Sequence, residues 1–224
     1  MEQKGLMIEI KNLTKKYGEL SVYDNFNLSI EEGKIISILG ESGSGKTTFL
    51  NCIAGLTAFE GSIPKLKCSY VFQTPRLVPN LTVKENLKLI CKDENKIADM
   101  LAKVHLEDKA DSYPVKLSGG QAQRVSLARA FLFESDIILM DEPLTSLDLR
   151  LKKEITDLFL SIWQEDKRTA IYVTHDIDEA ISIAHRIVIL RGGKILYDKT
   201  PESLPPRNLG DCGKLHDELI SHLL

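Results

Sequence analysis

Gly40-Glu41-Ser42-Gly43-Ser44-Gly45-Lys46-Thr47-Thr48 follows directly on the apolar run Ile35 to Leu39 and opens a helical stretch that reaches about Gly55. The pattern is GxxxxGK[ST] between a strand and a helix, the arrangement that cradles phosphate. Its spacing has a physical reason. Glycines let the backbone curl until successive N–H groups converge on an anion, and the helix behind them adds the positive end of its dipole. Lys46 is then within reach of β- and γ-phosphates, and the Thr47 hydroxyl is placed to ligate Mg²⁺.

On both sides of this loop, short apolar runs alternate with amphipathic stretches. Leu6 to Ile10, Lys34 to Leu39 and Cys68 to Phe72 read as strands. Ile137 to Met140, Ala170 to Val173 and Ile187 to Leu190 are the brief apolar runs expected of parallel strands covered on both faces. Gly192-Gly193, ahead of Lys194 to Tyr197, predicts a hairpin at the sheet margin. Leu151, Ile155, Leu158, Phe159 and Ile162 recur in steps of three and four, which places them on one face of a helix between Leu149 and Gln164. The alternation predicts a three-layer α/β domain with right-handed crossovers. From Thr74 to Glu134 the strand signal disappears, and Val83 to Cys91, Ile97 to Val104 and Gln121 to Phe133 read as helices. The expectation is one domain over residues 1–224, with 74–134 a helical insertion in a core made of 1–73 and 135–224.

The composition is that of a folded protein: 224 residues, 43% apolar, 27% charged, formal net charge −3. No uninterrupted apolar run exceeds four residues, whereas a membrane-spanning helix needs ~20. The start, MEQKGLMIEIK, lacks the apolar segment of a secretory signal, and a cytoplasmic protein is expected. Cys52, Cys68, Cys91 and Cys212 are scattered without CxxC spacing, so neither a zinc site nor a disulfide framework is expected. Between Lys84 and Lys116 lysines are balanced by acidic residues, and nucleic acid is not an expected partner.

The run Ile137 to Met140 ends in Asp141-Glu142, so both carboxylates should emerge at the C-terminal edge of the sheet, where open α/β folds bind ligands. Asp141 is the candidate Mg²⁺ ligand, and Glu142 the candidate group that orients or deprotonates an attacking water. An acid pair after a buried strand also serves as a helix cap or a solvated turn. His175 follows Ala170 to Val173 and should project from the same edge, within reach of a γ-phosphate. Ser118-Gly119-Gly120 is a small-residue turn opening a helix at about Gln121, which makes a second anion-binding site.

The order and spacing of Leu117-Ser118-Gly119-Gly120-Gln121, Ser146-Leu147-Asp148 and Val173-Thr174-His175-Asp176 around the phosphate loop resemble the ATP-binding subunit of an ABC transporter. The resemblance runs from Tyr17 to Tyr197. It implies a P-loop NTPase core with a mostly parallel sheet, an antiparallel β edge and an inserted helical subdomain. Lys46 would belong to the Walker A loop, Gln73 to the Q-loop, Ser118 to Gln121 to the signature, Asp141 and Glu142 to Walker B, Asp148 to the D-loop, and His175 would be the switch histidine. Gln73 would contact Mg²⁺ or the attacking water, and Tyr17 would stack on adenine.

The resemblance also implies ATP and Mg²⁺ as cofactors and a head-to-tail homodimer, or a heterodimer with a related ATPase, formed on ATP binding. The signature of one copy would then close on the Walker A-bound ATP of the other. Integral membrane permease subunits, and indirectly a solute-binding protein, would complete the assembly on the cytoplasmic face of the membrane. The segment Gln73 to Asn86 looks like that of importer ATPases for nitrate, sulfonate and taurine, with Leu77, Val78 and Leu81 available either to meet a partner helix or to face the insertion's own core. An exporter or lipoprotein-release ATPase is the alternative, and a non-transport ABC ATPase a more distant one. The short piece Thr57 to Lys67 trims the antiparallel edge relative to the family, and no appended regulatory domain is expected after the core.

Overall fold

The structure, a computed structural model, describes residues 6–223; residues 1–5, part of the stretch read for a secretory signal, and residue 224 lie outside the described residues. Its elements are β1 (Met7–Tyr17), β2 (Leu20–Glu31), β3 (Ile35–Leu39), α1 (Lys46–Ile53), β4 (Glu60–Ser62), β5 (Cys68–Val71), α2 (Val83–Lys88), α3 (Glu94–Lys103) and α4 (Gly119–Leu132). There follow β6 (Ile137–Asp141), α5 (Leu149–Asp166), β7 (Thr169–Thr174), α6 (Ile177–Ile183), β8 (Arg186–Arg191), β9 (Lys194–Lys199) and α7 (Gly213–Leu223).

A six-stranded sheet in the order β5-β6-β7-β3-β8-β9 forms the middle of the molecule. It is parallel except for β9, which pairs antiparallel with β8 through the Gly192-Gly193 turn. Because strand side chains alternate between faces, each run feeds two cores. Ile36, Ile38, Ile137, Leu139, Ile171, Val173, Val188 and Leu190 pack with α1 and with the antiparallel sheet β2-β1-β4. Ile35, Leu39, Ile138, Met140, Tyr172, Ile187 and Ile189 pack on the other face against helices that include α4, α5 and α6. These strands therefore read as unbroken apolar runs, buried on both sides. No strand occurs among residues 72–136, and the apolar side chains of α2 and α3 join the same cluster as the second face. No described helix is long and apolar enough to cross a membrane.

The structure corrects several boundaries and adds elements. The first strand runs to Tyr17 rather than Ile10, and β2 lies beside it through residues assigned no element above. Phe26, Leu28 and Ile30 do alternate with polar residues, but register shifts after Ile10 and Leu13 break the period on β1. The helix after Ser118 starts at Gly119 rather than about Gln121, because Ser118 caps it. Asp93 likewise starts α3 before Ile97. The helices α6 and α7 are additions; α6 is a short helix capped by the Asp176 side chain.

Candidate nucleotide site

Sheet register brings three loops to one height. Leu39 pairs with Thr174, and Asp141 pairs with Val173, so Gly40, Glu142 and His175 leave adjacent strands at the same edge. Glu142 takes a left-handed backbone, φ 46°, while its N–H donates to Val173 O at 2.9 Å. That conformation is uncommon for a residue with a Cβ and turns the chain sharply at the end of β6.

The phosphate loop is built around missing side chains. Gly45 is left-handed (φ 103°), and a Cβ there would stand 2.9 Å from the Tyr23 hydroxyl. That hydroxyl donates to Gly45 O at 2.9 Å, so a buried tyrosine of β2 fixes the start of α1. Gly45 gives α1 no side-chain cap, whereas α2, α3, α4, α5 and α6 are each capped by a side chain. The first-turn N–H groups of α1, beginning with Lys46, Thr47 and Thr48, thus keep their capacity for an external acceptor. Ser44 Oγ is buried without a hydrogen-bond partner among the described residues. An anion at this loop would meet both kinds of donor, so the residues fit a phosphate. Gly43 and the exposed Glu41 and Ser42 form the outer part of the same loop.

Lys46 is nearly buried, yet its ammonium is well compensated. It donates to Gly40 O at 2.7 Å and Glu41 O at 2.9 Å, and lies 3.5 Å from Glu142 Oε1. The other Glu142 oxygen accepts from Thr145 Oγ1 at 3.2 Å and is 3.0 Å from His175 Nδ1. Thr47 Oγ1 donates to Asp141 Oδ1 at 3.0 Å, and Tyr70 donates its phenolic proton to Asp141 Oδ2 at 3.2 Å. Burial pushes the Asp141 carboxyl above its ordinary range, against the pull of these two donors. Tyr70 also stacks on Phe72 with centroids 4.1 Å apart, and the Arg76 guanidinium covers Phe72 at 3.8 Å. A hydroxyl beside a carboxylate, both hard oxygen donors, fits Mg²⁺, which is commonly held by one or two protein oxygens together with substrate phosphates.

The structure thus brings together Lys46, Thr47, Asp141, Glu142 and His175. The remaining candidates stand apart. Gln73, just past β5, is exposed and makes no side-chain hydrogen bond among the described residues. Tyr17 is half exposed at the end of β1, with Lys15 Nζ 4.4 Å from its ring centroid. Ser118 and Gln121 close a reciprocal capping box, Ser118 Oγ accepting from Gln121 N at 3.2 Å and Gln121 Oε1 accepting from Ser118 N at 2.9 Å. Asp148 caps α5 by accepting from Leu151 N at 3.0 Å. Gly119 and Gly120 lie against Leu147 and Leu151, where a Cβ on Gly120 would come within 2.4 Å of Leu151 Cδ2. Leu147 and Leu151 thus pack the end of the loop before α5 against the turn at Ser118, whose residues 118–121 make no side-chain hydrogen bond or ion pair to the phosphate loop among the described residues.

Sequence reasoning missed three supporting residues. Tyr23 was hidden with β2, and Tyr70 lay inside a strand with nothing to mark its hydroxyl. Asn86, fully buried, accepts from Val78 N at 2.8 Å and donates to Val78 O, Leu81 O and Thr82 O, bracing the segment after Gln73. Of the two roles open to Leu77, a partner contact or packing within the fold, the structure shows it packed partly against the main core.

The ABC transporter family model matches residues 23–145. The chain is 41% identical over 202 residues to an aliphatic sulfonates import ATP-binding protein of Bacillus cereus, covering 83% of this chain and 80% of the relative. It is 36% identical over 232 residues to a spermidine/putrescine import ATP-binding protein of Haemophilus ducreyi, covering 93% of this chain but spanning only 62% of that relative's length. Among solved structures, a dimeric ATP-binding cassette in a post-hydrolysis state with ADP and Pi superposes with a TM-score of 0.76 at 34% identity, over 89% of this chain and 100% of the other. With a phosphate loop, an acid pair and a histidine at one sheet edge, and with these likenesses along most of its length, the chain belongs to the ABC transporter family as one of its ATP-binding ATPase domains.

Proposed function

We propose that this chain is the ATP-binding subunit of an importer, hydrolysing ATP to ADP and phosphate in a head-to-tail dimer whose closure drives separate permease subunits at the cytoplasmic face of the membrane. The observation that carries this reading is the split site: the phosphate loop and acid pair share one sheet edge, while the Ser118 turn presents a separate helix N-terminus. In the capping box Ser118 Oγ serves only as an acceptor, so its hydroxyl proton and the Gly119 and Gly120 N–H groups remain to meet a nucleotide held by a second copy. Import is supported by the relatives described above, which are import ATP-binding proteins.

In this reading the loop N–H groups and Lys46 grip the triphosphate, and Lys46 exchanges its carbonyl and Glu142 contacts for phosphate oxygens. Thr47 and Asp141 would hold Mg²⁺, with Gln73 as a further ligand or water contact, and the ion would supply charge neutralisation on the phosphates. Glu142 accepts a proton from the attacking water, and His175, hydrogen-bonded to Glu142, orients toward the γ-phosphate. Tyr17 stacks on the adenine. Ser118 to Gln121 and Asp148 come from the opposite copy, so triphosphate favours the closed dimer and its cleavage removes that preference.

The test is the mass of the Glu142→Gln protein in ATP, measured by light scattering. It should double, and adding Ser118→Arg should return it to a single chain that still binds ATP. A dimer that survives Ser118→Arg would overturn the head-to-tail arrangement. Import is tested by co-purification; membrane partners without a solute-binding protein would point to the exporter or lipoprotein-release type instead.

A further inference from the structure

Behind the turn that carries His175 lies a cluster of charges assigned no part in nucleotide contact. Lys152 Nζ, on α5, is 2.8 Å from Asp176 Oδ2 and 2.9 Å from Glu179 Oε1. The other Glu179 oxygen accepts from the Tyr172 hydroxyl at 3.0 Å and from Thr174 Oγ1 at 2.8 Å. Thr174 Oγ1 in turn accepts from Asp176 N at 3.0 Å, and Asp176 Oδ1 accepts from the N–H groups of Asp178 and Glu179. Both neighbours of His175 are therefore fixed by side chains, Thr174 by Glu179 and Asp176 by Lys152.

Such a cluster could serve stability alone, but its connections favour another role. It joins two segments that each bring a group to the site. Lys152 N donates to Asp148 O at 2.9 Å, at the end of the loop that begins with Glu142. Within that loop Thr145 Oγ1 contacts the same Glu142 oxygen that faces His175. The contacts close a circuit from Glu142 through His175, Asp176, Lys152 and Asp148 back to Thr145. Breaking it at Lys152 leaves Asp176 and the buried Glu179 beside each other with their hydroxyl and backbone N–H donors but no cation, which would drive the turn away from α5.

We propose that Lys152 is a positioning residue for His175, setting the β7–α6 turn against the loop 142–148 so that His175 Nδ1 meets Glu142. This rests on the assignment of His175 and Glu142 to the hydrolytic step, and the experiment separates the two. In the full chain, Lys152→Met should lower kcat for ATP hydrolysis by roughly 10-fold, the scale expected when a catalytic group is misplaced without being lost, and leave KM for ATP within about 2-fold. The ¹⁵N signal of the His175 Nδ1 should move toward that of a free imidazole, and Lys152→Arg should restore both rate and signal. In a His175→Ala background, Lys152→Met should cost nothing further.

Should Lys152→Met fail to fold by circular dichroism, Asp176→Asn tests the same link while keeping an acceptor for the α6 cap. An unmoved His175 signal in the folded variant, or rate losses that multiply fully with His175→Ala, would overturn the proposal. If His175→Ala alone left kcat intact, the catalytic assignment would fail, and the nitrogen signal would still decide the role of Lys152.

Discussion

Glu142 Oε2 lies 3.0 Å from His175 Nδ1 and Glu142 Oε1 lies 3.5 Å from Lys46 Nζ, so one carboxylate bridges the ends of three adjacent strands. Nδ1 is taken up in this contact, so Nε2 is the ring nitrogen left to face another partner.

Glu142→Gln keeps the shape of this bridge and removes its basicity. ATP binding should persist while phosphate release falls by about 10²–10⁴-fold, the usual contribution of a general base. Turnover at the wild-type rate would falsify the assignment of Glu142.

Lys46→Ala should instead weaken binding. A charge-assisted hydrogen bond contributes about 1.5–3 kcal/mol, or roughly 10–100-fold in Kd. Calorimetry with ATP reads this directly, and an unchanged affinity would remove Lys46 from the phosphate contacts.

Tyr70→Phe retains the stack on Phe72 and deletes one of the two donors to Asp141. Asp141 should then be less firmly oriented, and the Mg²⁺ concentration for half-maximal nucleotide binding should rise by about 3–10-fold, the loss of a typical hydrogen bond. A Mg²⁺ titration of binding and of hydrolysis that superposes on wild type would contradict this.

His185 links pH to stability away from the site. Its Nδ1 accepts from Ile35 N at 3.2 Å, a role open only to a neutral ring. Burial, with Lys34 and Arg207 nearby, holds its pKa down at about 4 from 6.5. The unfolded chain therefore binds the proton first as pH falls, so this contribution is complete above pH 6.5 and is lost as pH drops toward 4. The urea midpoint should decline across that window, and His185→Gln should flatten the decline. Identical slopes in both proteins would sink the prediction.

The loops of the site were legible because their residues act through local spacing. Glycines at 40, 43 and 45, the acids after an apolar run and the histidine after another each declare a strand end. The sequence order does not state that β7 lies between β3 and β6, which is what sets Glu142 beside His175. Long-range partners were equally hidden. Tyr23 reaches Gly45 across 22 positions and Lys152 reaches Asp176 across 24, and no local period records such pairings. The strand β2 escaped because bulges on β1 scramble the alternation that would have matched it.

Tyr23, which fastens the phosphate loop, pairs across the hairpin with Lys15, whose ammonium covers the ring of Tyr17. If Tyr17 stacks on the base as proposed, one hairpin would serve both ends of the nucleotide, through that aromatic and through the glycine that opens the phosphate helix. A ligand whose base and phosphates are spaced differently would then have to bend that hairpin to satisfy both, and the small sheet that covers α1 would also gauge molecular length.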